Sequence, residues 1–322
     1  MDTLTQSGFQ KFLAQTPWPA AICDWAYTDE DQTLSYQTFA DWIARHDHGP
    51  LHYLSDHRAV LRQKLSNYYP DFQSALVFLF DYGQSHFLKA GGPNLARYVT
   101  NFQGADYHLV LKDALETIGL FLKSKLPDLH YVLSLDIHPV LERDLAHRAG
   151  LGWFGKNSML LNRQKGSMFI IASLLINKKL NFSKRTRETD HCGTCRACVQ
   201  ACPTQAIDEQ TRTLKAERCI STFTIELFKD SPAPPGYKNK EQWIFGCDIC
   251  QEVCPWNKVE TLPDALTPLQ EKLKHFFLDC PITETISELE GMSNKAFERQ
   301  FKGTSLARTG RVGILKNLKA LI

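Results

Sequence analysis

The first 180 positions contain apolar runs of strand length and apolar residues at helical spacing, in alternation. Short continuous apolar runs predict buried strands, and apolar positions three and four residues apart predict helices. The predicted elements are strands at residues 74–80, 131–137 and 168–176 and helices at residues 106–125 and 139–148. Strands and helices that alternate with short links predict an α/β layer fold.

Composition adds one unusual feature to an ordinary globular pattern. The 37 Lys and Arg residues nearly balance the 35 Asp and Glu residues, so net charge alone does not predict a nucleic-acid-binding protein. No apolar run approaches the ~18 residues that cross a membrane, and the N-terminus has no export signal. We therefore expect a cytoplasmic protein. The chain has ten cysteines, and clustered thiols in a reducing compartment are typical metal ligands.

The distribution of cysteines divides the chain into three parts. Residues 1–180 contain only Cys23, residues 181–262 contain eight cysteines, and residues 263–322 contain only Cys280. The last part is predicted to be helical. Seven Lys or Arg residues and one acid lie in residues 291–322, a pattern typical either of a solvated helix face or of a surface that contacts phosphates.

The eight central cysteines have the spacing of iron–sulfur ligands. Four of them are separated by two, two and three residues and are followed by Pro203, which is the bacterial ferredoxin pattern for a [4Fe–4S] cluster. A second run before Pro255 has three cysteines, and Cys219 lies between the runs. Zinc, which also binds paired cysteines, is the alternative.

Eight thiols are enough for two cubanes of four ligands each. In two-cluster ferredoxins the last cysteine of a run ligates the other cluster. This crossing predicts two ligand sets, Cys192, Cys195, Cys198 and Cys254 for one cluster and Cys202, Cys219, Cys247 and Cys250 for the other. Cys23 and Cys280 remain as small buried residues.

Asp136 is the candidate acid. It falls near the end of a predicted strand, at the kind of sheet edge where α/β proteins bind ligands. Apolar side chains around the carboxyl group would raise the pKa of Asp136 and make it a proton donor. The alternative is that Asp136 only caps the helix predicted to begin at Pro139. Gly150, Gly152 and Gly155 follow within a short segment. They indicate either a backbone bent closely around a large group or an ordinary turn with an aromatic anchor.

Together these residues resemble the epoxyqueuosine reductases, cobalamin-dependent iron–sulfur enzymes of the last step of queuosine biosynthesis. The matching segments are residues 106–108, 136–158, 192–203, 218–221, 245–257 and 301–305. The resemblance implies an α/β (α+β) cobalamin-binding catalytic domain over 1–180. It also implies an inserted or appended ferredoxin-like domain with two [4Fe–4S] clusters over 181–262 and a short basic helical region over 263–322.

The resemblance also implies a reaction. Electrons would pass from the two clusters to base-off cobalamin and then to the epoxide of epoxyqueuosine at the wobble position (34) of tRNA, with Asp136 as the proton donor. Residues in motifs similar to the family's cobalamin pocket are Tyr98, Tyr107, His108, Asp136, Lys156, Asn157, Ser158 and Ser221.

The implied partners are the tRNA anticodon arm that carries epoxyqueuosine and a low-potential electron donor. Candidate phosphate contacts in the tail are Lys302, Arg308, Arg311, Lys316 and Lys319. We expect no membrane association and a monomer.

Three positions depart from the family pattern, and other functions compete. Ile137 replaces a hydroxyl residue beside Asp136, and Thr222 and Phe223 replace Tyr-Leu in the segment that ends at Glu226. The alternatives are a corrinoid reductive dehalogenase-like reductase, a ferredoxin-type electron-transfer module without cobalamin, and a tRNA-binding protein with structural clusters. Cobalamin content and redox activity distinguish them.

Overall fold

The computed structural model describes residues 4–18, 20–82, 93–227, 231–233, 237, 239–257 and 265–322. The strands are β1 (Ile22–Thr28), β2 (Ser74–Asp81), β3 (Asn94–Leu95), β4 (Tyr131–Ser134), β5 (Trp153–Phe154), β6 (Leu160–Leu161), β7 (Phe169–Ile176), β8 (Ile207–Asp208), β9 (Thr213–Leu214) and β10 (Trp243–Phe245). The first six helices are α1 (Gln6–Gln15), α2 (Tyr36–Ala44), α3 (Leu65–Tyr68), α4 (Arg97–Thr100), α5 (Tyr107–Lys125) and α6 (Glu142–Arg148). The others are α7 (Ala197–Ala201), α8 (Ile249–Glu252), α9 (Pro268–Lys274), α10 (Ile282–Gly291), α11 (Asn294–Gln300) and α12 (Leu306–Lys319).

The central sheet has the strand order β1-β2-β7-β4, and every neighbouring pair is antiparallel. Alternate residues of β2 enter two different cores. Leu76, Phe78 and Phe80 pack in the core that contains the buried side of α5, whereas Val77 and Leu79 pack in the core that contains the buried side of α6. Helices on both faces explain why β2 is a continuous apolar run, and they confirm the predicted α/β layers.

Two of the predicted elements are shorter than the sequence indicates. β4 ends at Ser134 rather than at residue 137, and α6 begins at Glu142 rather than at Pro139. The residues between them form a turn that contains Asp136. Because the sheet is antiparallel, the rule that ligands bind at the carboxyl ends of parallel strands does not explain the position of Asp136.

A third core joins distant parts of the chain. Phe277, Phe297 and Ile314 of the C-terminal region pack with Trp243 and Val99. β10 also pairs in parallel with β3. The boundaries at residues 180 and 262 therefore stay predictions, since this core draws on all three parts.

Gly150 and Gly152 allow neighbouring segments of the chain to pack closely against each other. The backbone of Gly150 has φ +80° directly after α6, and a Cβ at Gly152 would lie 2.1 Å from the carbonyl oxygen of Leu161. Their predicted role, a backbone bent around a large bound group, is wrong for this pair because protein backbone fills the space.

Replacement of Gly152 by alanine is expected to destabilise the fold. The added methyl group would force β5 away from β6, because a carbonyl oxygen cannot yield as a flexible side chain can. Overpacking of this kind costs about 1–3 kcal/mol of unfolding free energy. The measurement is urea unfolding followed by circular dichroism. Gly291→Ala is the control, since nothing lies within 4 Å of its added Cβ. Equal stability of the two variants would contradict the prediction.

Among the described residues, no helix has the length and apolar character needed to cross a membrane.

Candidate functional site

A cavity of about 220 Å³ lies between the central sheet, the start of α5 and the C-terminal helix α12. Its wall combines aromatic and aliphatic side chains with carboxylates, a histidine and an arginine. The lining residues are Tyr98, Asp106, Tyr107, His108, Asp136, Ile170, Ile225, Glu226, Phe245, Ser305 and Arg308. Four of the predicted site residues, Tyr98, Tyr107, His108 and Asp136, are thus brought together.

Local structure positions the acid at the cavity. Asp106 is the N-cap of α5, and its Oδ1 accepts the backbone N–H of His108 at 3.0 Å. Asp136 lies in the turn after β4 with 41% of its side chain exposed. The N-cap position of α6 is Leu141, with no side-chain cap. The alternative role of Asp136 as a helix cap is therefore wrong.

Hydrogen bonds connect these residues into one network. His108 Nε2 lies 2.8 Å from Asp136 Oδ1, and His108 Nδ1 lies 2.8 Å from Asp106 Oδ1. The Tyr107 hydroxyl donates to Asp136 Oδ2. The rings of Tyr107 and His108 stack with centroids 4.1 Å apart. Both oxygens of Asp136 are thus held by protein groups.

The network changes the protonation of both partners. Partial burial lowers the pKa of His108, but hydrogen bonds and negative charge from Asp106 and Asp136 outweigh it and raise the pKa to about 9. Partial burial raises the pKa of Asp136, but bonding to His108 and Tyr107 and the charge of His108 outweigh it and lower the pKa below its usual value. The expectation that apolar walls raise the pKa of Asp136 is therefore wrong.

Glu226, Ser305 and Arg308 are among the cavity residues that were not predicted for this place. Glu226 ends the π-helical turn Thr222–Glu226 and hydrogen-bonds Tyr53. Burial raises the pKa of Glu226, while the charge of Arg308 opposes that change. Ser305 precedes α12 and lines the wall beside Arg308. In the sequence, Glu226 ends the segment in which Thr222 and Phe223 depart from the family pattern. No hydrophobic periodicity there indicates that the side chain of Glu226 points inward.

The first predicted set of cysteines surrounds a second, smaller cavity. This cavity is about 90 Å³ in volume, and Cys192, Cys195, Cys198 and Cys254 all line it. The pKa of the Cys198 thiol is raised by burial and then by the charges of Cys254, Cys192 and Cys195. The structure thus brings Cys254 to the other run, as the crossed arrangement predicts. Cys195 is exposed to solvent.

The second predicted set is also close together. Burial raises the pKa of the Cys247 and Cys250 thiols, and the nearby charges of Cys219 and Cys202 raise it further. Each group draws thiols from both runs, and the ligation of a [4Fe–4S] cluster by each group stays a prediction. Phe245, Asp248 and Gln251, neighbours of these ligands along the chain, are buried.

The other predicted cobalamin contacts lie outside the wall of the Asp136 cavity. Lys156 and Asn157 line the first cysteine cavity, where Lys156 Nζ pairs with Glu209 at 3.0 Å. Ser158 adopts φ +67°, and its Oγ accepts from Arg143 at 2.9 Å. The remaining residue, Ser221, hydrogen-bonds the Cys219 thiol. Their role as cobalamin contacts stays a prediction.

The predicted phosphate contacts in the tail have different surroundings. Lys316 points inward, where its Nζ donates to the carbonyl oxygen of Phe223 at 2.6 Å and lies 4.0 Å from the centre of that ring. Burial lowers the pKa of Lys316 to about 8. Lys316 thus donates inside the fold, and its contact with phosphate stays a prediction.

The other four basic residues are nearer the surface. Arg311 donates to Asn294 Oδ1 at 2.8 Å, and Lys319 pairs with Glu290 at 2.6 Å. Lys302 and Arg308 are exposed, and Arg308 also lines the cavity. The contact of these four residues with phosphate stays a prediction.

Comparisons with known proteins agree on one family. A family model described as a 4Fe–4S double cluster binding domain matches residues 191–257. The epoxyqueuosine reductase of Cyclobacterium marinum is 36% identical and aligns over 86% of this chain and 85% of its own length. That of Escherichia coli (strain K12) is 32% identical over 90% of this chain and 74% of its own. A crystal structure of an epoxyqueuosine reductase with an epoxyqueuosine-modified tRNA-Tyr stem loop superposes with a TM-score of 0.74, at 25% identity, over 98% of this chain and 80% of that one.

Proposed function

The chain belongs to the epoxyqueuosine reductase family, and we propose that it reduces epoxyqueuosine to queuosine at position 34 of tRNA, the last step of queuosine biosynthesis. The observation that carries this proposal is the acid network of Asp136, Tyr107 and His108 at an open cavity, in a chain that also gathers eight thiols. Conversion of an epoxide to an alkene and water takes two electrons and two protons. The chain has residues suited to both requirements.

We propose that base-off cobalamin binds at the cavity, and the wall supports this. A corrin ring has apolar faces and an edge of amides that need hydrogen-bond partners. Tyr98 and Phe245 offer aromatic faces there, with ring centroids 6.3 Å apart. Ser305 Oγ is buried and has no hydrogen-bond partner among the described residues. Since 220 Å³ holds only part of a corrin, the rest would extend through the open side next to the partly exposed Asp136. Cobalamin bound there would supply low-potential electrons to the epoxide.

We propose Asp136 as the proton donor to the oxygen that leaves the epoxide. Its turn presents the carboxyl group to the cavity, and Tyr107 holds Oδ2 in place by hydrogen bonding. A substrate oxygen within hydrogen-bond reach would take the proton as its bond to carbon breaks. The hydrogen bond from Tyr107 also stabilises the carboxylate that remains.

Electrons are proposed to enter at the Cys195 side and to leave at the Cys247 side. Cys195 is exposed, and residues 193–196 around it are exposed as well. Cys247 follows Phe245 by two residues, and Phe245 lines the cavity beside Tyr98. An external low-potential donor can therefore approach the first set of thiols, while the second set adjoins the reaction site. We propose electron flow from the two [4Fe–4S] clusters to cobalamin in this order.

The tRNA anticodon arm is the proposed substrate carrier. Arg308 joins the cavity wall to the surface, so its guanidinium is suited to hold a phosphate next to the inserted nucleoside. Lys302 is exposed near the same end of α12. Such contacts position RNA without reading its sequence.

The test is anaerobic reconstitution with iron, sulfide and cobalamin, followed by addition of epoxyqueuosine-containing tRNA and a low-potential reductant. Mass spectrometry of the digested nucleosides should show loss of one oxygen. Cobalamin uptake with an unchanged nucleoside would overturn the proposed substrate. Assembled clusters without cobalamin uptake would overturn the proposed cofactor and leave an electron-transfer module.

A further inference from the structure

His108 has carboxylates at both of its ring nitrogens. Asp106 Oδ1 lies 2.8 Å from Nδ1, and Asp136 Oδ1 lies 2.8 Å from Nε2. We propose that His108 stores the proton that Asp136 delivers and reloads Asp136 after delivery, while Asp106 holds the imidazole in position. This inference rests on the proposed function of Asp136 and adds a source for its proton.

Hydrogen-bond counting requires a proton in this arrangement. An ionised carboxylate can only accept, and a neutral imidazole has one N–H donor. Two carboxylates can therefore both bond to one imidazole only if His108 is protonated or if one carboxyl group is. In either case the Nε2–Oδ1 contact between His108 and Asp136 contains a proton that can lie on either atom.

Asp106 determines which way that proton can move. Its Oδ1 accepts the backbone N–H of His108 at the start of α5, a place where the helix dipole favours negative charge. Asp106 Oδ1 thus engages Nδ1 of the imidazole, which leaves Nε2 facing Asp136. Stacking on Tyr107 at 4.1 Å fixes the plane of the ring. Only the Nε2 proton is aligned with the cavity.

The proton count of the reaction matches this role. Two electrons and two protons convert the epoxide to an alkene and water. The shared proton passes from His108 Nε2 to Asp136 and from Asp136 to the departing oxygen, which leaves a carboxylate and a neutral imidazole. The His108 side chain is 19% exposed, so the imidazole can recover a proton from solvent. The second proton of the reaction can thus follow the same route, with the electrons from the low-potential donor.

Other charged and titratable groups surround the pair. Burial raises the pKa of Glu142 well above its usual value, and the charge of Arg308 favours the ionised forms of Asp136 and Glu226. The groups that face His108 or Asp136 are Tyr53, Tyr98, Asp106, Tyr107, Glu142, Glu226 and Arg308. Only Asp106 and Asp136 hydrogen-bond the imidazole within the part of the chain described.

The pH dependence follows from the sign of the shift. The pKa of His108 is raised to about 9, so the stored proton is present below that pH and lost above it. The rate of nucleoside reduction should therefore fall as the pH rises through about 9. Removal of the Asp106 charge should move this fall toward the ordinary histidine value of about 6.5.

Asp106→Asn is the decisive variant, because asparagine is also a good N-cap and keeps α5 intact. We expect the falling limb of its pH–rate profile to move down by about one or two pH units. His108→Gln should lower kcat about 10-fold to 100-fold with little change in KM. The control is His130→Gln, whose side chain is exposed.

A second measurement does not depend on turnover. NMR of ¹³C-labelled histidine in the reconstituted protein, with both clusters oxidised, should show His108 titrating near pH 9 in the wild type and lower in Asp106→Asn. An unchanged titration or an unmoved pH limb in Asp106→Asn would overturn the relay. A wild-type protein that reduces no epoxyqueuosine at any pH would instead overturn the proposed function, while the titration still tests the hydrogen-bonded pair.

Discussion

Replacement of Asp136 by asparagine is expected to lower kcat for nucleoside reduction by about 10²–10⁴-fold, the usual contribution of a positioned general acid. Asparagine keeps the size of the side chain and an oxygen that can accept from Tyr107, but it has no proton of suitable pKa to donate. The loss should therefore fall on the chemical step. Single-turnover reactions, with the nucleosides quantified by mass spectrometry, measure it directly.

The control for this variant is Asp128→Asn, the same chemical change at an exposed position outside the cavity. Iron content, cobalamin uptake and tRNA affinity should be the same in both variants and in the wild type. Activity of Asp136→Asn within twofold of the control would show that another group gives the proton, and Glu226 across the cavity would be the next residue to replace.

The parts of the fold that sequence predicts well are those where one local rule decides the outcome. Apart from Ser74 and Ser173, the strands at 74–80 and 168–176 are apolar because both faces of β2 and β7 are covered. Helix α5 begins where Asp106 can cap it and follows the predicted apolar spacing. The grouping of Cys254 with Cys192 follows from the ferredoxin pattern, in which spacing and ligation are tightly linked.

The parts that sequence predicts poorly depend on contacts between distant residues. The pKa of Asp136 is lowered because α5 brings His108 to it from 28 positions earlier in the chain, whereas the local sequence suggests only apolar neighbours. Lys316 has the spacing of a surface residue, yet the carbonyl oxygen of Phe223 draws it inward. Glu226 reaches the cavity through a π-helical turn, a form that apolar spacing does not reveal.

The predicted crossed ligation of the two clusters leads to the second large effect. Cys192 and Cys202 belong to the same run of cysteines, but the structure places Cys192 near Cys254 and Cys202 near Cys219 and Cys247. The two single variants are Cys192→Ser and Cys202→Ser. We expect each single variant to lose about four of the eight irons that two [4Fe–4S] clusters carry. We also expect each variant to lose nearly all reduction of epoxyqueuosine, because electrons must pass both clusters.

Double variants separate crossed from uncrossed ligation. If ligation is crossed, Cys192→Ser with Cys254→Ser removes ligands from one cluster only, and about four irons should remain after anaerobic reconstitution. Cys192→Ser with Cys202→Ser removes a ligand from each cluster and should leave almost none. Uncrossed ligation predicts the reverse pattern, since Cys192 and Cys202 would then share a cluster and Cys254 would serve the other. Cys280→Ser, outside both sets, should keep all the iron, so that a general loss of thiols cannot account for the difference.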